Sequence, residues 1–500
     1  MSIYPEYVDA LAFWQEHFKN KMAQGNSYKI YTLGCKVNQY DSRSLAGKLG
    51  AAGFSLVKKN ADLAIINTCA VTKTAIQKGR RTINRARKEN PKAKIAVMGC
   101  WPKVYEAHEH RKDGLIIVKD DREMDAVIAK FKVQNLKLSS FAEAMADKKA
   151  TEDKKVQSSG ENPELFLSHG SGGSLALNDK SRYFIKVQDG CEQYCSYCVI
   201  PYARGKLKSR GMDEILKEIG EATGSGYREI VLCGIHLGLY GKDFKNLSDI
   251  KAGKKCGISG SEGKINLGGL LKKIFKIKNL GRIRLSSIEI TEVSGELIGL
   301  MAEDKKMCKH LHIPLQSGSD KILKLMNRPY DREFFRERVE KIRKAAPDVA
   351  LTTDVIIGFP GETGADFMDT YNFIKEMKFS RLHVFPFSAH EKTPAAKMPG
   401  AVSDEIKRER VKKLKALGDR LSREYEKRFI GRGLIVVVSG KKSGDKLIGK
   451  SEHYFDVCFH KSRIMGGAAD QGNENSRAAR GKNLVGRLVK VKFTKEESRE

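Results

Sequence analysis

The sequence predicts an α/β protein of several domains: an N-terminal parallel α/β sheet domain, a central partial (β/α)6 barrel and a C-terminal small β-barrel. Three observations carry that expectation. Short apolar runs alternate with helix-like stretches from residue 28 and again from residue 181, the rhythm of a parallel sheet covered by helices. After Gly433 the texture changes to short runs between Gly and Lys turns, and Leu488-Val489-Lys490-Val491-Lys492-Phe493 alternates as a half-buried strand does. Five hundred residues also exceed what one hydrophobic core holds.

Composition narrows the partners. Lys and Arg number 92 against 61 Asp and Glu, a formal charge of +31. A surplus of that size implies a polyanionic partner, nucleic acid before membrane surface. Ten cysteines in 500 residues are too sparse for a disulfide scaffold. Met1-Ser2-Ile3-Tyr4-Pro5-Glu6 lacks the basic and apolar regions of a signal peptide, and no run of 18 apolar residues occurs. The chain therefore reads as soluble and cytoplasmic, with no membrane partner and with thiols reduced and available to metal.

In the first domain, residues 29–33, 62–66, 94–98 and 114–118 read as strands. Cys35, Cys69 and Cys100 each lie one to three residues past a strand end. Ligands of open parallel sheets bind outside the carboxyl ends of the strands, so three cysteines dispersed along the chain are expected at one sheet edge. Plain buried cysteines would more often lie within the strands. Residues 133–180, rich in Lys, Ser, Gly and Asp, read as a flexible linker.

The barrel strands are expected at 183–187, 229–233, 282–286, 309–313, 351–357 and 381–385, with helices such as 213–223 and 319–326 between them. Barrel chemistry collects at the C-terminal strand ends, and polar clusters follow four of these strands: Cys233-Gly234-Ile235-His236, Ser286-Ser287-Ile288-Glu289, Pro314-Leu315-Gln316-Ser317-Gly318 and Gly358-Phe359-Pro360-Gly361-Glu362. The first strand leads into Cys191-x3-Cys195-x2-Cys198. Three thiolates on one short loop can hold one soft metal centre, zinc or iron–sulfur. Cys233 reads as packing, and Cys256, in a Lys- and Gly-rich loop at 242–266, as a surface thiol. His312 and His383 are candidate ligands, acids or hydrogen-bonded barrel residues, and Glu289 with Asp354 is a weaker acid–base pair. After Pro399, Ile406, Leu414, Leu417, Leu421 and Tyr425 recur at helical spacing opposite a Lys/Arg face. A Gly- and Asn-rich insertion at 461–483 interrupts the last module.

These residues carry a resemblance. Cys-x3-Cys-x2-Cys after a strand resembles the radical S-adenosylmethionine (SAM) enzymes, and Asp189-Gly190-Cys191 with Ile200-Pro201 and Arg204-Gly205 resembles their methylthiotransferase branch. Thr32-Leu33-Gly34-Cys35-Lys36-Val37-Asn38-Gln39, Asn67-Thr68-Cys69 and Met98-Gly99-Cys100 are similar to the N-terminal domain of tRNA methylthiotransferases. Leu311-His312-Ile313-Pro314-Leu315-Gln316-Ser317-Gly318 and Asp354 through Glu362 resemble that family's barrel, and Gly449-Lys450-Ser451-Glu452-His453-Tyr454-Phe455 its TRAM domain. Trp101-Pro102-Lys103 departs from the small or tyrosine residue followed by Ala-Gln of many relatives.

The resemblance implies domains at 28–132, 181–430 (radical SAM core with trailing helix) and 431–495 (TRAM-like). It implies SAM and two [4Fe-4S] clusters as cofactors, one held by Cys191, Cys195 and Cys198 and an auxiliary one by Cys35, Cys69 and Cys100. Tyr197, Gly234 and Ile356 inherit SAM contacts. The implied partners are the anticodon stem-loop of tRNA, an electron donor such as flavodoxin or ferredoxin, and a sulfur donor. The implied activity is transfer of a methylthio group to C2 of an adenine beside the anticodon. Gly34-Cys35-Lys36-Val37-Asn38 looks like the branch acting on N6-threonylcarbamoyladenosine. The alternatives are isopentenyladenosine, a ribosomal protein, or a non-enzymatic iron–sulfur protein that binds RNA.

Overall fold

The computed structural model describes residues 26–105, 114–131, 181–244, 265–465 and 484–494. The expected linker, nearly all of the extension at 1–27, Cys256 and most of the insertions at 242–266 and 461–483 lie outside the described residues. The chain divides into two compact units, residues 1–176 and 177–500, apart from 71–73, which group with the second. Among the described residues no helix is long and apolar enough to cross a membrane.

The first unit is a five-stranded parallel sheet, with β1 Ser27–Thr32, β2 Ser55–Leu56, β3 Leu63–Thr68, β4 Lys94–Gly99 and β5 Leu115–Ile117 in the order β2-β1-β3-β4-β5. All six residues of β3 are buried, as a central strand covered on both faces requires. This strand runs two residues further than its apolar stretch predicts, because Asn67 and Thr68 find partners inside the protein: Asn67 Nδ2 donates to Asn38 O at 2.9 Å and Thr68 Oγ1 to Met98 O at 2.6 Å. Helices Lys36–Ala51 and Lys73–Glu89 connect the three central strands.

The second unit is built on six parallel strands, with a small hairpin-like pair at the first of them. Its strands begin with β6 Tyr183–Lys186, the short pair β7 Gln188–Asp189 and β8 Lys208–Ser209, β9 Glu229–Cys233, β10 Arg282–Leu285, β11 His310–His312, β12 Ala350–Ile357 and β13 Arg381–Pro386. Sheets β10-β9-β6 and β11-β12-β13 are each parallel. Parallel bridges Ile283–Met307 and Ser287–His312 join them into one open half-barrel. Side chains alternate along each strand. Ile230, Leu232, Ile283, Leu285, Leu311, Leu351, Val355 and Ile357 form the core beneath the surrounding helices. Glu229, Arg282, Arg284, His310, His312, Thr352, Asp354, His383 and Phe385 therefore face the lumen.

Four antiparallel strands follow: β14 Gly433–Ser443, β15 Lys446–Ser451, β16 Asp456–Phe459 and β17 Leu488–Lys492, in the order β16-β15-β14-β17. β16 starts just after Tyr454, which adopts φ 70°. β17 follows a turn at 484–487, Arg487 N donating to Leu484 O at 3.0 Å. Tyr425 and Phe429 from the end of the long helix Asp404–Lys427 and the residues after it share one core with Leu434, Val436, Phe455, Phe459, Val491 and Phe493. This sheet closes the floor of the half-barrel. Arg282 donates to Ile435 O at 2.7 Å and Lys450 O at 2.8 Å, and Arg284 to Ser451 O at 2.8 Å. Tyr454 stacks on His310 with ring centroids 4.1 Å apart.

Both arginines are anchored by Glu229, whose carboxylate is fully buried and lies 2.5 Å from Arg282 and 2.8 Å from Arg284. Burial alone would raise its pKa, but the two guanidinium groups outweigh burial and hold it down at about 2. Its stabilisation is therefore fully present above the ordinary carboxylate value of 4.5 and is lost as pH falls toward 2. Arg284→Ala is expected to cost about 3–5 kcal/mol, because it leaves a buried carboxylate short of a partner; the denaturant midpoint of unfolding measures it.

Candidate active site

The three thiols of the second unit lie on a loop clasped at its base. β7 and β8 pair antiparallel, Gln188 with Ser209 and Asp189 with Lys208, so residues 190–207 are tied off as one excursion from the barrel rim. The chain can turn there only at glycine: Gly190 has φ 74°, and a Cβ on it would fall 1.9 Å from Lys206 O. Asp189 accepts from Lys186 at 3.0 Å and Arg204 at 3.1 Å, pinning both ends of the loop. Gln188 Nε2 donates to Gly190 O at 2.7 Å, and its Oε1 accepts from His236 N at 2.7 Å. The tip is held against a second segment: Ser196 N donates to Met326 O at 3.1 Å, and Asn327 Nδ2 to Tyr194 O at 3.1 Å.

Two cationic side chains address the sulfurs. Arg328 Nη1 lies 3.2 Å from Cys195 Sγ, and the same guanidinium ion-pairs with Glu289. His236 Nδ1 is 3.4 Å from Cys191 Sγ, with its Nε2 2.8 Å from Glu292. Burial opposes charge on His236, yet its hydrogen bonds to the Cys191 sulfur and Glu292 outweigh that and push its pKa up to about 10. Burial pushes the Cys198 thiol up to about 12 and raises that of Cys195, where Arg328 pulls the other way. A cation able to displace those protons suits this donor set. Three thiols on one loop are a donor set for a soft metal centre, zinc or iron–sulfur. Among the described residues His312, Asp354 and His383 have donor atoms all within 4.8 Å of one another.

The other expected positions fall around this loop. Tyr197 and Ile356 pack on one apolar cluster with Ile322, Met326 and Phe359. Gly234 approaches Gln188, where a Cβ would meet the side-chain oxygen at 3.0 Å. Cys233 is fully buried in β9, its thiol donating to Val231 O at 3.5 Å, as packing predicts. Glu289 and Asp354 are bound into separate networks, Glu289 with Arg328 and Asp354 with two histidines, so they do not form an acid–base pair. In the lumen, Asp354 lies 3.1 Å from both His312 Nε2 and His383 Nδ1. Burial would raise the Asp354 pKa, but those two hydrogen bonds hold it well below the usual carboxylate range. Arg328 and His236 gave no signal in the sequence as partners of the thiols; both are distant in the chain, and only the strand order brings them in.

In the first unit, Cys35, Cys69 and Cys100 follow the ends of β1, β3 and β4, three adjacent strands. Glycines with positive φ precede two of them. Gly34 has φ 100° and packs on Cys69, whose Cβ would stand 3.0 Å from an added Cβ; Gly99 has φ 96° and lies against Thr68 O. Asn38 Nδ2 binds the loops together by donating to Leu33 O at 2.8 Å and Thr68 O at 3.0 Å. Cys35 is exposed, Cys69 half-buried and Cys100 buried. One edge of the sheet thus presents three thiols, graded from solvent to core.

Residues 185–374 match the radical SAM superfamily, and residues 27–118 match uncharacterized protein family UPF0004. The chain is 36% identical to threonylcarbamoyladenosine tRNA methylthiotransferase MtaB of Bacillus subtilis, over 93% of each chain. It belongs to the radical SAM tRNA methylthiotransferase family. Another relative, tRNA-2-methylthio-N(6)-dimethylallyladenosine synthase of Carboxydothermus hydrogenoformans, is 35% identical over 94% of this chain and 96% of its own. A second MtaB, from Thermotoga maritima, is 35% identical over 87% and 92%. As a radical SAM methylthiotransferase the protein is a transferase that uses SAM and a [4Fe-4S] cluster. Gly190→Ala is expected to reduce bound iron, since a left-handed φ costs a non-glycine residue about 1–2 kcal/mol before the clash with Lys206 is added. Iron content and the visible absorption of the purified variant measure this.

Proposed function

We propose that this chain adds a methylthio group to C2 of N6-threonylcarbamoyladenosine beside the anticodon of tRNA, in the cytoplasm. The observation that carries this reading is the 36% identity to a threonylcarbamoyladenosine methylthiotransferase over 93% of both chains. The Gly34-Cys35-Lys36-Val37-Asn38 sequence supports the same branch. The lumen supports it chemically. His312, Asp354 and His383 face it with hydrogen-bonding groups, and His383 is 35% exposed. Such a lining suits a substituent carrying a carboxylate and hydroxyl, whereas an isopentenyl group would leave those groups unpaired.

In this reading Cys191, Cys195 and Cys198 hold the SAM-binding cluster, and Cys35, Cys69 and Cys100 an auxiliary four-iron cluster that carries the sulfur to be inserted. Tyr197, Gly234 and Ile356 contact SAM. When bound, these groups supply the electron and the alkyl radical that break an unactivated C–H bond. The chain's own part is positioning. Asp354 fixes the His383 ring and leaves its Nε2 toward the lumen, where it orients the polar substituent. Phe385, on the same strand face and 44% exposed, offers a ring on which a base can stack. The C-terminal sheet keeps water from entering through the floor. The surplus of 31 positive charges draws the anticodon stem-loop, and a flavodoxin or ferredoxin and a sulfur donor complete the system.

Two measurements test the proposal. The chain is expected to hold about eight irons. Replacing Cys191, Cys195 and Cys198 by Ala should leave about half of them and abolish 5′-deoxyadenosine formation. Replacing Cys35, Cys69 and Cys100 should preserve SAM cleavage and stop methylthio transfer. In a deletion strain, tRNA should lose 2-methylthio-threonylcarbamoyladenosine and keep any 2-methylthio-isopentenyladenosine. Loss of the isopentenyl derivative instead would overturn the substrate assignment.

A further inference from the structure

We propose that Arg328 is a positioning residue that raises the reduction potential of the cluster at Cys191, Cys195 and Cys198, through a charge-assisted hydrogen bond to the Cys195 sulfur. The inference rests on the reading that those three thiols hold the cluster. Its own support is the way the guanidinium is fixed. The Arg328 side chain is 3% exposed. Nη1 lies 3.2 Å from Cys195 Sγ and 3.4 Å from Tyr197 Oη, Nε lies 3.1 Å from Tyr330 Oη, and Nη2 is paired with Glu289. Tyr330 is itself tied down, its hydroxyl 2.9 Å from Pro314 O and 3.0 Å from Leu315 O. Four of the five N–H groups therefore have a fixed direction, and one of those directions ends on a cluster thiol.

The sign of the effect follows from the charges. Reduction adds one negative charge to a cluster that is already anionic through its thiolates. A guanidinium in contact with one sulfur stabilises that added charge, and the low dielectric of a buried site strengthens the attraction. Glu289 acts in the opposite sense, but it pairs with a different nitrogen from the one that meets the sulfur. Hydrogen bonds to cluster sulfurs are among the known determinants of potential. Arginine remains charged at any working pH, so the contribution does not switch with proton concentration as one from histidine would.

The test is an EPR-monitored redox titration of the full chain carrying Cys35→Ala, Cys69→Ala and Cys100→Ala, so that one cluster signal is read. Arg328→Gln is expected to retain the iron of this cluster and to shift its reduction equilibrium about tenfold toward the oxidised form, about 59 mV for one electron. Arg328→Lys should recover part of the shift, since it keeps the charge and loses the fork. Glu289→Gln should move the midpoint the other way. A midpoint equal to that of the parent in iron-loaded Arg328→Gln overturns the inference. Should Arg328→Gln lose its iron, unchanged midpoints in both Arg328→Lys and Glu289→Gln overturn it equally. Full iron and an unaltered signal after Cys195→Ala would instead defeat the cluster assignment itself.

Discussion

The carboxylate of Glu229 is fully buried among two arginines at the floor of the half-barrel, and the architecture of the second unit depends on how that charge is met. Taking three ions out of water costs several kcal/mol for each of them. The cost is offset because the remaining guanidinium protons reach the carbonyls of Ile435, Lys450 and Ser451, which belong to a different sheet. Satisfying the ions therefore requires the C-terminal strands to dock in one register. Apolar contact continues the same junction, since Ala350 of β12 joins the core of Tyr425, Phe429 and the last four strands. The TRAM-like module is thus part of the barrel's own floor. Cutting the chain at 431 would expose the ion cluster, whereas point substitutions on the outer face of β14–β17 would leave it covered.

A closed floor gives the lumen a direction. The layer above it holds His312, Asp354 and His383, and the thiol loop leaves the same strands' rim at Gln188. Polar groups thus line the lumen between the plug and the candidate cluster. Asp354 and its two imidazoles bond to one another without Glu289. Glu289 is committed to Arg328, on the side of the thiols. Two carboxylates at strand ends therefore do different work: one orients rings toward a ligand space, the other holds a cation against a sulfur.

Much of this was legible in the sequence wherever the information is local. Cys-x3-Cys-x2-Cys needs eight residues to be seen, and the periodicity of the strands announces each βα unit. The glycines before Cys35, Cys100 and Cys191 are adjacent to the thiols they serve, and all have positive φ. What could not be read is what depends on strand order and on parity. Arg328 reaches Cys195 across 133 residues and His236 reaches Cys191 across 45. The direction of Asp354 follows only once Leu351 and Val355 are known to face the helices. The end of β3 shifted because Asn67 and Thr68 find partners on neighbouring segments, Asn38 O and Met98 O.

The two thiol triplets sit in different surroundings. At the sheet edge of the first unit the sulfurs range from exposed to buried, and the loops that carry them are tied by amide-to-carbonyl bonds such as those of Asn38. Glycine φ values and strand ends contribute to that geometry. In the second unit the sulfurs are half-buried or buried on one loop, with a guanidinium on one and an imidazole on another. Burial favours the protonated thiols and makes any added negative charge costly, and at Cys195 Arg328 pulls the other way. A guanidinium in contact with a buried sulfur offsets part of the cost that added negative charge meets there.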